Sequence, residues 1–249
     1  MGRQMLLVAT IFHGQVRRAL IVDQLKRVFS TRGWLSRQPQ AFRTRFISLG
    51  RLIELERGVP VFHVGDEPGG VYGIVSGAIE ILGGTPWQLP VLAHIARAGD
   101  WFGHGPVLRG GNRSLTFVAA EQSTLLQVPL DRLRPQLRND PDFAARLAQM
   151  ADASTEAVIG VARDLLIRDS ARRLAAVLLR VTAAGEVPPD NGQGYALTQA
   201  QLGEMANISR HYVNRILAMM RRAGWIDARY NRIRLLDVPA LKAFAWSDE

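Results

Sequence analysis

The feature that most constrains this chain is the spacing of its turns between residues 57 and 130. Short apolar runs, Val59–Val64, Val71–Val75, Ala78–Leu82, Leu89–Ile95, Leu115–Ala120 and Thr124–Val128, alternate with turn signals such as Gly65-Asp66, Ser76-Gly77, Gly83-Gly84, Gly99-Asp100 and Gly110-Gly111-Asn112. Turns every 8–12 residues or so leave no room for the crossover helices that parallel strands need. The region is therefore read as a sandwich, jelly roll or barrel.

From Pro141 the period becomes helical. Leu147, Ala151, Ser154, Val158, Val161 and Leu165 follow steps of four and three, which predicts one long helix with a single apolar stripe. Its small residues suit a helix–helix seam; a helix covering the β region is the other reading. A second helical pattern runs through Ala171, Leu174, Ala175, Leu178 and Leu179, and Val187–Gly192 reads as a loop.

The sharpest local signal is nearer the C-terminus. Thr198 can cap a helix, with Gln201 three residues on to complete a capping box. Asn207-Ile208 makes a short turn, and Ser209 can cap a second helix ending near Gly224. Spacing puts Val213, Ile216, Leu217 and Met220 on one face of that helix, and His211, Asn214, Arg215, Ala218 and Arg222 on the other. Two short helices joined by a tight turn, the second with a basic and polar outer face, predict a helix-turn-helix. Trp225-Ile226-Asp227 and Arg232–Leu236, separated by Tyr230-Asn231, read as a hairpin or wing.

Charge supports a nucleic-acid partner. Lys+Arg minus Asp+Glu is 31 − 22 = +9, carried by arginine with only Lys26 and Lys242 besides. The excess sits at the two ends, and residues 58–165 carry more acidic than basic groups. Guanidinium forks suit phosphate, although a GC-rich genome also raises arginine content. The absence of cysteine excludes disulfides, thiolate zinc sites, Cys-ligated iron–sulfur clusters and Cys nucleophiles. His13, His63, His94, His104 and His211 share no short metal-ligand spacing, so no metal is assigned. No Gly-rich phosphate loop, paired metal carboxylates or nucleophile–base constellation points to an enzyme. Met5–Phe12 lacks a cleavage site, and no apolar run spans a bilayer, so a cytoplasmic protein without membrane contact is expected.

Six segments in order resemble the cAMP receptor protein/FNR superfamily of bacterial transcription regulators, over about residues 45–245. They are Val61–Asp66, Val71–Gly77, Ala98–Gly103, the Asn112-Arg113-Ser114 step, Leu197–Leu202 and Ile208–Leu217. The resemblance implies an α+β chain: an N-terminal extension (1–33), a cyclic-nucleotide-binding-like β-roll or jelly roll (34–140), a dimerisation helix and hinge (141–168) and a winged helix-turn-helix (169–249). It implies a homodimer on palindromic double-stranded DNA, with RNA polymerase as a candidate partner. A cyclic-nucleotide sensor acting through a protein partner is the alternative.

The resemblance assigns DNA contacts to Thr198, Ser209, Arg210, His211, Tyr212, Asn214, Arg215, Arg221 and Arg222, with Arg229, Arg232 and Arg234 adding backbone contacts. Many relatives carry Glu where His211 stands, so a different site preference is expected. It assigns a ligand pocket to Gly103, His104, Arg113, Ser114 and Val158. Arg113 and Ser114 keep the phosphate-binding spacing; a salt bridge inside the roll is the other reading of Arg113. His104 replaces the Glu that holds the ribose, Pro106 removes a backbone donor, and Val158 stands where a polar residue meets the base, with Ser154 and Thr155 one turn earlier. A cyclic nucleotide is thus a candidate ligand in a pocket that departs from the cAMP pattern. The seam falls to Leu147, Ala151, Ser154, Val158, Val161 and Leu165. The basic, moderately amphipathic stretch through Val16, Leu20, Asp23, Leu25, Arg27 and Val28 is either a helix on the roll or DNA, or an over-extended start.

Overall fold

The computed structural model describes residues 20–84, 89–185 and 194–246. Val16, Met5–Phe12 and the loop expected at 187–192 lie outside the described residues. Helices α1 (residues 20–31), α2 (Gly33–Ser36) and α3 (Gln40–Ser48) precede strands β1 (Arg51–Leu55), β2 (Pro60–Phe62), β3 (Gly70–Ser76), β4 (Ala78–Gly83), β5 (Val91–Arg97) and β6 (Trp101–Phe102). Helix α4 (His104–Arg109) then interrupts the strands before β7 (Thr116–Ala119) and β8 (Ser123–Pro129). The strands form two four-stranded antiparallel sheets, β1-β8-β3-β6 and β2-β7-β4-β5. The turn pattern thus predicts the roll, but it misses β1, which starts before residue 57, the two-residue β6, and α4, which lies between two turns.

Strand β3 explains how the roll joins its helices. It is buried on both faces: Tyr72 and Ile74 enter the space between the sheets with Phe62, Phe102, Phe117 and Leu125, while Val71 and Val75 face a helical layer. On β6 the same alternation sends Phe102 inward and Trp101 to the helices. Trp101 meets Phe29 (ring centroids 4.7 Å apart), Trp34 (5.8 Å) and Phe46 (5.4 Å). Gly73 makes this packing fit, since a Cβ there would lie 2.5 Å from Trp101 and 2.7 Å from Phe29. Leu25 and Phe29 are fully part of this core. The core therefore crosses the expected boundary at residue 33, because α1 supplies an aromatic side that the strands lack.

The expected single long helix is divided. Helices α5 (Leu130–Asn139) and α6 (Pro141–Ala148) precede α7 (Met150–Leu166). Trp34 Nε1 donates to the Arg146 carbonyl at 2.9 Å, taking the acceptor that a continuous helix would offer to Met150 N. Leu147 is fully buried among Phe42, Phe46, Phe143 and Met150, so it belongs to this chain's own core and not to a seam. On α7 one face, Ser154, Ala157 and Val161, turns to the roll, while Val158, Ile159, Leu165 and Leu166 are exposed. The steps of four and three mix residues of both faces, because small apolar residues lie all round this helix.

After Ile167-Arg168-Asp169 comes α8 (Ser170–Val181), then β9 (Tyr195–Ala196), α9 (Gln199–Ala206), α10 (Arg210–Arg222), the hairpin β10 (Ile226–Arg229) and β11 (Arg232–Leu235), and α11 (Val238–Trp246). The C-terminal unit shares a core with the roll: Ala78, Leu92, Ile95 and Ala120 are buried with α8, α9 and α10. A bulge at Ala93 arranges this. Ile81 pairs with His94 and Leu82 with Leu92, so Leu92 and His94 fall on opposite faces of β5 although two residues apart. Leu92 meets the C-terminal unit. His94 turns to the other side, where Nδ1 lies 2.7 Å from an Arg180 guanidinium nitrogen, and Arg180 Nε donates to Asp164 Oδ2 at 2.7 Å.

Burial, then the Arg180 and Arg97 charges, lowers the His94 pKa from 6.5 to about 3. The native ring refuses a proton that the unfolded chain accepts below pH 6.5, so this contribution to stability is present above that pH and lost as pH falls toward 3. Between pH 7 and pH 5 the loss is about 1–2 kcal/mol, and denaturant melts of His94→Gln at both pH values are expected to show a smaller loss than wild type. Phe29→Ala is expected to cost about 3–5 kcal/mol in the same melts. A cost below 1 kcal/mol or so would place α1 outside the cooperative unit.

Candidate ligand cavity and DNA interface

A cavity of about 460 Å³ lies between the inner wall of the roll and α7. Its apolar lining includes Phe62, Phe102, Phe117, Leu115, Val158 and Val161. One region is cationic, with Arg109 and Arg113 on the wall and His104 beside them. Gly103, at φ +89°, turns the chain from β6 into α4, and a Cβ there would come within 2.9 Å of Arg113 Nη1. A glycine at this point lets the guanidinium approach the backbone.

Arg113 is 3% exposed. It donates to the Gly103 carbonyl at 2.7 Å and to the Gly70 carbonyl at 2.8 Å, and stacks 4.1 Å from the Phe62 ring centroid. No carboxylate lies within ion-pair distance among the described residues, and Nε has no partner. The internal salt bridge considered for Arg113 is therefore absent among the described residues, and backbone carbonyls hold the side chain instead. Burial works against its charge while Tyr72 and, beyond ion-pair distance, the Asp66 carboxylate support it; a guanidinium stays protonated, so the cation has no direct ion-pair partner among the described residues.

His104 opens α4 with a buried Nδ1 that has no partner. Burial, then Arg109 and Arg113, holds its pKa below the ordinary imidazole value, so it stands neutral beside two cations. Ser114 is engaged, accepting from Arg109 Nη2 at 2.7 Å. Arg109 and His94 line the pocket and are not expected there from the sequence; for Arg109 the reason is local. It lies in the segment between Gly103 and Arg113, but only the α4 turn brings it onto the wall. Val158 lines the cavity rim and is 67% exposed, with Ser154 on the same wall. Thr155 is outside, its hydroxyl donating to the Ala151 carbonyl at 2.9 Å. Donors and cations against an apolar body suit an anion with a hydrophobic part.

At the other end, Thr198 caps α9 with the complete capping box, Oγ1 accepting from Gln201 N at 3.1 Å and Thr198 N donating to Gln201 Oε1 at 2.7 Å. Asn207, at φ +51°, ends the helix. Ser209 caps α10 by accepting from Tyr212 N at 3.3 Å. Val213, Ile216, Leu217 and Met220 are buried, and Arg210, His211, Tyr212, Asn214, Arg215, Arg221 and Arg222 are exposed. The Arg215 guanidinium sits 5.5 Å from the Tyr212 ring centroid, and Asn214 Oδ1 lies 3.5 Å from Gln199 Nε2. Arg229 is exposed, paired with Asp227 at 3.1 Å, and Arg234 is exposed. Arg232 is the exception. It pairs with Glu121 of the roll at 3.4 Å and donates to the Gly194 carbonyl, so it belongs to the contact between the two units and not to the outer basic face.

Two family models match the chain: a cyclic nucleotide-binding domain over residues 52–140 and a Crp-like helix-turn-helix domain over residues 172–244. The chain is 28% identical to the cyclic AMP receptor protein of Thermus thermophilus over 196 residues, covering 76% of this chain and 86% of that protein. It is 25% identical to the CRP-like cAMP-activated global transcriptional regulator of Mycobacterium tuberculosis over 189 residues, covering 74% and 84%. In fold it is similar to FixK2 of Bradyrhizobium japonicum, with TM-score 0.67, 17% identity and coverage of 80% and 99%. A CRP-family transcriptional regulator of Thermus thermophilus gives TM-score 0.62, 21% identity and coverage of 78% and 96%. No helix among the described residues is long and apolar enough to cross a membrane. With the cavity in the first matched domain and the exposed basic helix in the second, the chain belongs to the Crp/Fnr superfamily of transcription regulators.

Proposed function

We propose that this protein is a cytoplasmic, homodimeric, sequence-specific regulator that reads palindromic DNA with α10 and responds to a small anionic ligand in the roll. The observation that carries the DNA reading is the division of α10 into a buried apolar face and an exposed face of Arg210, His211, Asn214 and Arg215. Arg pairs bidentately with guanine and Asn with adenine, while Arg221 and Arg222 suit phosphate. His211 lacks the carboxylate acceptor that would read a cytosine amino group, so its site differs from that of relatives with Glu there. The exposed apolar residues Val158, Ile159, Leu165 and Leu166 of α7 support a two-fold seam. Two recognition helices would then enter successive major grooves about 34 Å apart.

The unpaired Arg113 cation, with His104 and Arg109 beside it, supports an anionic effector. Among the described residues Asp100 is the one carboxylate on the cavity wall, and it is held by the Arg97 N–H at 2.8 Å, which does not favour it as the acceptor for ribose hydroxyls. Affinity for a DNA site selected from random sequence, measured at fixed salt with and without excess cAMP, is expected to change less than about tenfold, or about 1.4 kcal/mol. A larger gain would make cAMP the effector despite His104. On that site Arg215→Ala is expected to lose about 1–3 kcal/mol, with little loss on random duplex; equal losses on both would remove Arg215 from base contact. Ile159→Asp is expected to lower the solution mass from dimer to monomer in light scattering, and an unchanged dimer would move the seam elsewhere.

A further inference from the structure

We propose that the buried chain His94–Arg180–Asp164 is a latch through which the cavity wall sets the position of the DNA-binding unit and so its affinity for DNA. The inference rests on the ligand-gated, DNA-binding reading above and assigns His94 a place in it. Three parts of the fold meet at these residues. His94 comes from β5 of the roll, Asp164 from the inner face of α7, and Arg180 from α8 of the C-terminal unit. Arg180 spans the other two, with Nε 2.7 Å from Asp164 Oδ2 and Nη1 2.7 Å from His94 Nδ1. Gly160 lies under the Arg180 stem, where a Cβ would approach Cδ to 3.3 Å.

The chemistry fixes the tautomer. A guanidinium only donates, so Nδ1 must offer its lone pair and the ring proton must sit on Nε2. The deep lowering of the His94 pKa keeps the ring neutral in this role. Other polar contacts join the roll to the C-terminal unit: Glu80 with Gln201, Leu92 N with Glu204 Oε1, Arg97 with the Val181 carbonyl, and Glu121 with Arg232. None of those roll residues lines the cavity, whereas His94 does. Its Nε2–H has no partner among the described residues, so it is the donor that a ligand acceptor in the cavity can engage. An acceptor there polarises the ring and strengthens Nδ1 as the acceptor for Arg180.

The latch is also incompletely satisfied. Asp164 Oδ1 and Arg180 Nη2 are buried without partners. A buried ion pair with unfilled valences is weakly committed to one geometry, since another arrangement can regain those bonds. That is the property a two-state element needs.

The test uses the full chain and its selected DNA site. His94→Leu removes the relay and leaves the Asp164–Arg180 pair; Arg180→Lys keeps the charge and loses the two-pronged contact. Each is expected to change the dissociation constant tenfold or more in the same direction, with the double variant no further from wild type than either single. His94→Gln, which can accept from Arg180 and still donate to the cavity, is expected within threefold of wild type. Changes below tenfold in variants that melt above the assay temperature, or effects that multiply in the double variant, overturn the latch. Should wild type bind no duplex, the DNA reading fails, and amide exchange decides the latch separately: α8 and α9 are expected to exchange at least tenfold faster in His94→Leu while β3 and β8 do not, and unchanged exchange overturns it.

Discussion

Everything else in this molecule depends on the burial of α8 on nearly every side. Leu174 through Leu179 and Val181 are all buried, against β5 on one side and against α9, α10 and α11 on the others. The six consecutive apolar residues 174–179 cover every direction round the helix axis, so this stretch cannot face solvent and the two units share one core. The C-terminal unit is therefore packed on the roll and not merely tethered by the hinge. Its recognition helix is placed by the same contacts that close the roll's outer sheet.

The shared core gives the cavity its reach. One wall is β5, whose other face is the seat of the DNA-binding unit, and another wall is α7, whose other face exposes Val158, Ile159, Leu165 and Leu166. A change of shape in the cavity thus bears on both the second unit and the seam proposed for α7. The polar groups match this position: Arg113 held by carbonyls with no carboxylate at ion-pair distance among the described residues, His104 with an idle nitrogen, and Asp164 and Arg180 buried with valences to spare. Unsatisfied buried donors and charges cost stability, and they gather at this cavity and directly behind it.

Much of the molecule was legible in the sequence because its signals are local. Turn residues marked the roll, the Thr198–Gln201 and Ser209 caps marked both helices of the reading motif, and the alternation of apolar and polar residues on α10 marked its two faces. Arg113 was legible only as a position; the sequence left salt bridge and ligand open, and Gly103 and Gly70 answer with carbonyls. The stripe on α7 was legible as a period but not as a direction, because small apolar residues occur on both faces. Leu147 looked equivalent to its neighbours in the stripe, yet a tryptophan far away in sequence bends the helix and puts it in the core.

By itself the sequence determined the order of the units, the caps that start α9 and α10, and the outward set of basic residues, since each rests on contacts within a few residues. The tertiary structure alone decided that α1 completes the roll, that Arg109 joins the cavity wall, that Arg232 turns to Glu121, and that His94 meets Arg180. Those outcomes hang on long-range pairings and on one bulge at Ala93, which reverses the faces of Leu92 and His94. Strict alternation along β5 would have put both on one side, and an extra residue in a ladder is visible only when its partner strand is known.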